Sequence, residues 1–185
     1  MSAPRSARIL PGETGLWIFI FTELALFALF FSLAAWNKAG APEAFRQGRS
    51  QFSLTMGMIN TLVLLTGSWA VAMGTRVVAD PRRAARLVYV AALTGVIFLL
   101  LKFVEWNHHL QAGHSITKNI YYTWYFFLTG FHALHVIGAV IFLGVIAGRS
   151  RRAQPSSHAL IEAAGCYWHL VDLLWVGIFV VLYLL

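Results

Sequence analysis

Apolar residues in this chain gather into five long runs, interrupted by very few polar side chains: Leu16–Trp36, Phe52–Met73, Leu87–Glu105, Tyr122–Gly148 and Glu162–Leu185. With ~1.5 Å of rise per residue, about 20 apolar residues cross a ~30 Å hydrocarbon layer. A helix satisfies its own backbone polar groups on the way. The pattern therefore predicts five membrane-spanning α-helices. Their connections, near 37–51, 74–86, 106–121 and 149–161, are short, so sequential helices should be antiparallel neighbours. Pro42, Pro81 and Pro155 punctuate three of them. Pro11 and Gly12 precede the first helix, with Glu13 and Thr14 suited to its N-terminus. The expectation is an all-α integral membrane five-helix bundle, a single domain over 1–185 with no room for a soluble one.

Composition agrees. Of 185 residues 59% are apolar and 11% charged, and the mean hydropathy is +0.70, well outside the soluble globular range. The first run is too long for the 7–15-residue apolar core of a signal peptide and contains Glu23, so it reads as a retained span. The net charge of +7 does not point to nucleic acid, because the basic residues sit between spans. Arg5, Arg8, Arg76, Arg82, Arg83, Arg86, Arg149, Arg151 and Arg152 fall on one side; Lys38, Arg46, Arg49 and Lys118 fall on the other. The positive-inside rule then puts the N-terminus in the cytoplasm and the C-terminus outside. The lone cysteine, Cys166, supports neither a disulfide framework nor a Cys-based metal site. Gly130, Gly138, Gly144 and Gly148 in the fourth helix, and Gly57 and Gly67 in the second, suit close helix approach.

The polar intruders carry the chemistry. A charged residue near the centre of a spanning helix costs ~2.5–3.5 kcal/mol on insertion scales, so Glu23 requires a partner. The candidates are Asn60, His132 with His135, and His169 with Asp172. Spacing by three puts each of those pairs on one helix face, and Glu162 extends the second face by seven residues. By depth, Glu23, His135 and His169 lie at similar heights, where a carboxylate and an imidazole can share a proton or pair. Three roles stay open for these groups: bracing of helix register and a docking surface, tuning of proton or gas access for a neighbouring enzyme, or cofactor ligation. Haem held between His135 and His169 would need space that Phe131, Leu134, Tyr167, Trp168 and Leu170 fill. A di-iron site would need Glu-x-x-His on two helices, which is missing. His108, His109 and His114, with Asn107 and Gln111, read as a wet outer loop, and Lys102 with Glu105 as a local pair or snorkelling groups at the outer end of the third helix. Trp17, Trp36, Trp106, Tyr121, Tyr122, Trp124 and Tyr125 read mostly as interface belts. Trp168 and Trp175 lie deeper, as packing or as a surface for another subunit. Neither a nucleophile with a base, nor a phosphate loop, nor a metal motif is evident, so chemistry is expected in a partner.

Longer segments carry a resemblance. Gly130–Val136 (GFHALHV) is similar to the GFHGLHV segment of subunit III of haem–copper oxidases, and Glu162–Trp175 (EAAGCYWHLVDLLW) resembles that family's EAAxWYWHFVDVVW segment. Gly57–Thr61 and Glu23 within Trp17–Phe31 match in the same order. Long members have seven helices, and this chain resembles the short five-helix form without the first two, which puts a lipid cleft of the long form in doubt. Gly57–Trp69 (GMINTLVLLTGSW), Lys102 with Glu105, and Tyr122–His135 look most like the NorE-type accessory protein of nitric oxide reductases; a short subunit III of a cytochrome or quinol oxidase is the alternative, and a small b-type membrane cytochrome a more distant one. The resemblance implies a subunit with no catalytic centre, haem or metal of its own, docked in a bacterial inner membrane on a subunit carrying haem, with copper or non-haem iron there a further expectation and phospholipid a candidate ligand. It maps the family's buried carboxylate to Glu23 and its paired histidine to His135, and assigns Asn60, Glu162, Trp168 and Trp175 to packing or docking.

Overall fold

The computed structural model describes residues 14–77, 79–151 and 158–185. Arg5, Arg8, Pro11, Gly12, Glu13, Arg152 and Pro155 lie outside them. The described residues form α1 (Thr14–Gly40), α2 (Pro42–Arg49), α3 (Leu54–Arg76), α4 (Pro81–Gln111), α5 (Ile120–Arg151) and α6 (His158–Phe179), with a π-helical turn over Val180–Leu184. All but α2 contain a stretch long and apolar enough to cross a membrane.

The helices overrun the apolar runs, most of all α4, which begins and ends six residues beyond Leu87–Glu105. Hydropathy marks the hydrocarbon, whereas a helix stops where its end groups find other partners. At the start of α4, Asp80 Oδ1 accepts from the amides of Arg82 and Arg83, both at 3.1 Å, and Pro81 occupies the first turn, where a missing N–H costs nothing. At its end the Gly113 amide donates to the Leu110 carbonyl and the His114 amide to the His109 carbonyl, with Gly113 at φ 75°. This is a Schellman closure, and the left-handed conformation it needs favours glycine. Asn107–Gln111 are therefore helical, not a wet loop. The connection after α1 also holds structure: α2 buries Phe45 and Gly48 and exposes Glu43 and Arg46, which pair at 2.6 Å. Eight mostly polar residues gave no hydropathy signal.

Four helices make the core, packed in a ring in the order α3, α4, α5, α6, with α6 closing back on α3. α1 lies outside the ring against α5 and α6, touching it along Ile20, Glu23, Phe27, Phe31 and Ala34, a helical stripe. Phe27, Phe30, Phe127 and Phe131 interlock there with ring centroids 5.0–6.1 Å apart.

Inside the ring, glycine admits the largest side chain. A Cβ on Gly67 would lie 2.6 Å from the Trp168 ring, and one on Gly95 3.0 Å from the same ring. Trp168 thus fits because two helices present no side chain to it. Gly57 meets Phe179 similarly, whereas Gly130, Gly144 and Gly148 face open space and Gly138 lies close to the Tyr167 hydroxyl, 3.3 Å from where its Cβ would be. Of the four glycines expected to admit close approach along α5, only Gly138 does so among the described residues. Trp168 and Trp175 are buried inside the ring, as is Asn60, so these three pack the interior and do not face another subunit. Tyr121, Tyr122 and Tyr125 are buried as well, gathered with Tyr183 around the Phe52 ring and not in an interface belt.

Candidate functional site

Three polar clusters occupy membrane depth. The first joins α1 to α5: Glu23 Oε2 lies 3.0 Å from His135 Nε2, and His135 Nδ1 lies 2.9 Å from the Phe131 carbonyl. The backbone contact makes Nδ1 the protonated nitrogen and orients the ring, so Nε2 faces the carboxylate. Phe27 and Phe131 flank the imidazole at 5.6 and 5.1 Å. The contact is therefore largely shielded, its two side chains 11% and 15% exposed, and Glu23 has the partner its position requires.

The second cluster is deeper. Lys102 and Glu105 are 1% and 7% exposed and pair at 2.9 Å. Tyr125 donates to Glu105 Oε1 at 2.9 Å and Tyr183 to the same oxygen at 2.5 Å, while Lys102 Nζ also donates to Tyr183 at 2.9 Å. The ammonium lies 5.0–5.4 Å from the ring centroids of Trp175, Tyr125 and Tyr183, where ring faces attract a cation. The pair does form, but it is a core motif shared by α4, α5 and the C-terminal turn and not a snorkelling one. His109, one turn beyond, is buried against Phe52 with ring centroids 3.9 Å apart.

His132 points into the ring and His135 toward α1, so their spacing of three separates their surroundings. His132 is fully buried between Phe98 and Trp175, with ring centroids 5.5 Å from each. Neither of its nitrogens nor the Asn60 amide has a hydrogen-bond partner among the described residues. Trp175 itself is anchored by a 3.0 Å bond from its indole nitrogen to Thr61 Oγ1.

The third cluster is on the outside of the bundle. His169 is exposed, and its Nδ1 lies 2.9 Å from the Ser68 hydroxyl of α3. Asp172 is buried, with Oδ1 unpartnered among the described residues. Thus His169 and Asp172, one exposed and one buried, flank the same Ser68 hydroxyl on one face of α6, as their spacing of three predicts, and His169 faces neither Glu23 nor His135. Glu162 is half-buried near the start of α6. In the loop after α4, the His114 ring stacks on Tyr122 with centroids 4.7 Å apart, and desolvation, then Lys118 and His108, hold its pKa below the usual imidazole value. Among the described residues no group of three or more His, Cys, Asp or Glu side chains could hold a metal ion. Sequence reasoning missed the Lys102–Glu105–Tyr125–Tyr183 network; the signal lay in two opposite charges three apart in an apolar run, with tyrosines on later helices.

Together these features define a multi-pass α-helical membrane protein whose spans are tied by buried polar contacts. The family model for cytochrome c oxidase subunit III matches residues 11–185, and the chain belongs to that family. It is 32% identical over 181 residues to cytochrome c oxidase subunit 3 of Thermostichus vulcanus, covering 92% of this chain and 86% of that one. A subunit 3 from Synechocystis sp. is 29% identical, with coverages of 92% and 74%. Cytochrome bo(3) ubiquinol oxidase subunit 3 of Pseudomonas putida is 26% identical, with 92% and 84%.

Proposed function

We propose that this chain is a non-catalytic accessory subunit of a haem–copper-superfamily respiratory complex, docked on a haem-bearing catalytic subunit in a bacterial inner membrane, with its N-terminus cytoplasmic. One observation carries the docking: the Ser68–His169 pair sits near the middle of α3 and α6 on an outward face. A polar side chain at that depth is costly against lipid and is ordinarily covered by protein. Around it Leu65 and Leu173 are exposed, so the face combines an apolar rim with a polar centre. The names of the relatives, cytochrome c and quinol oxidase subunits, favour an oxidase as the partner. The GMINTLVLLTGSW and YTWYFFLTGFHALH segments carry the finer reading, a nitric oxide reductase with this chain as its NorE-type subunit.

Within this reading Glu23, His135 and the buried network hold the scaffold, while redox chemistry proceeds in the partner. That both His135 nitrogens are engaged and that His169 turns toward α3 support an absence of haem in this chain. The test is purification from native membranes in mild detergent. The complex should show a haem Soret band and the isolated chain none, and mass spectrometry of the large subunit decides between oxidase and reductase. His169→Leu should keep the chain folded and lower recovery of the partner. Stoichiometric haem in the isolated chain would instead make it a small b-type cytochrome.

A further inference from the structure

A groove of about 480 Å³ opens between α3 and α4, at the end where α3 finishes and α4 begins. Trp69, Met73, Val77 and Leu87 line it almost wholly with carbon, and Arg83 and Arg86 complete the lining. Trp69 lies eight residues before Val77, so the apolar wall runs about 12 Å along the helix toward the hydrocarbon centre. Arg83 and Arg86, spaced by three, project from one face of the first turns of α4, at the level of the helix ends.

The two guanidiniums are exposed and have no ion-pair partner among the described residues. The nearest carboxylate in sequence, Asp80, is committed through Oδ1 to the amides of Arg82 and Arg83. Arg76 and Arg82 add positive charge at the same end. An occupant must therefore be apolar where it enters the membrane and anionic at the surface, with oxygen atoms that a guanidinium fork can grip.

We propose that this groove is a specific binding site for one anionic glycerophospholipid, its phosphate on Arg83 and Arg86 and an acyl chain along Trp69, Met73 and Leu87. Basic pockets between spanning helices bind anionic head groups through this combination of charge and depth. The inference holds whichever catalytic partner the chain serves, because the lining comes from α3, the residue that ends it and α4; only Trp69 borders the Ser68–His169 face.

The test uses the full chain, delipidated in detergent and titrated by native mass spectrometry with dioleoyl phosphatidylglycerol or with phosphatidylcholine of the same chains. Phosphatidylglycerol should be retained preferentially. Arg83→Gln with Arg86→Gln should weaken its retention roughly fivefold per guanidinium and leave phosphatidylcholine unaffected. Leu87→Trp, which fills the groove at constant charge, should also lower retention. Circular dichroism and elution volume confirm that each variant is folded. Equal retention of the two lipids by the wild type, or unchanged phosphatidylglycerol retention by the double variant, would overturn the proposal. So would a photoreactive side chain at position 73 that labels protein and not lipid in native membranes.

Discussion

Removing the Glu105 carboxylate is the severest single change that the core geometry predicts. Glu105 accepts from Lys102, Tyr125 and Tyr183, and Lys102 is 1% exposed, so its ammonium has no route to water. Glu105→Ala leaves that charge buried without its counter-charge and frees two phenols. Breaking a buried pair in this way costs about 3–5 kcal/mol. At about 2–4 °C per kcal/mol for a chain of this size, the midpoint of thermal unfolding in detergent should fall by about 6–20 °C. Replacing both partners, as in Lys102→Met with Glu105→Leu, should recover most of that loss, because no charge then remains to be desolvated. The assay is tryptophan emission against temperature or against a denaturing detergent, with wild type, the single variant and the double variant side by side. A Glu105→Ala midpoint within 2 °C of wild type, or a double variant no better than the single one, would refute the buried-pair reasoning.

Three further outcomes are expected. Glu23→Gln should retain a hydrogen bond to His135 and unfold close to wild type, while Glu23→Ala should lose about 1–3 kcal/mol in the same assay, since it leaves the imidazole nitrogen unsatisfied. Gly67→Ala should cost about 1–3 kcal/mol, its new methyl colliding with the Trp168 ring, and Gly144→Ala, where nothing lies within 4 Å, should be neutral or slightly stabilising. His114 should titrate below its value in an unfolded peptide when followed by its ring-proton resonances in NMR. Because its folded pKa is lowered, the unfolded chain binds that proton more readily; its share of stability is intact above the unfolded value of about 6.5 and declines as the pH falls below it.

Hydropathy made the five spans legible because each requirement of the hydrocarbon is local to its own segment. The Glu23–His135 contact was nearly legible too: depth narrowed the candidates to His135 and His169, and helix rotation, which residue counting leaves open, chose between them. The same rotation hid the different fates of His132 and His135, one in the ring and one at α1. Lys102 and Glu105 were misread in depth because charges near the end of an apolar run look free to reach water. Their burial follows from α4 continuing six residues further, an extension set by the Schellman turn at Gly113. α2 escaped notice because an eight-residue helix lying on the surface of a bundle needs just two inward positions, Phe45 and Gly48, and these leave no trace in a long averaging window.

The contact between Glu23 and His135 spans 112 residues of chain, and this separation bears on how the protein is made. Ribosomes add about 5–20 residues per second, so the first segment emerges roughly 6–22 s before the imidazole that will receive its carboxylate. Throughout that interval the nascent segment carries an acid without its imidazole, a cost of about 2.5–3.5 kcal/mol that its own apolar side chains must offset in lipid. The helices that α1 packs against, α5 and α6, are translated after it, so the docking of the earliest span through Glu23 waits on the synthesis of α5.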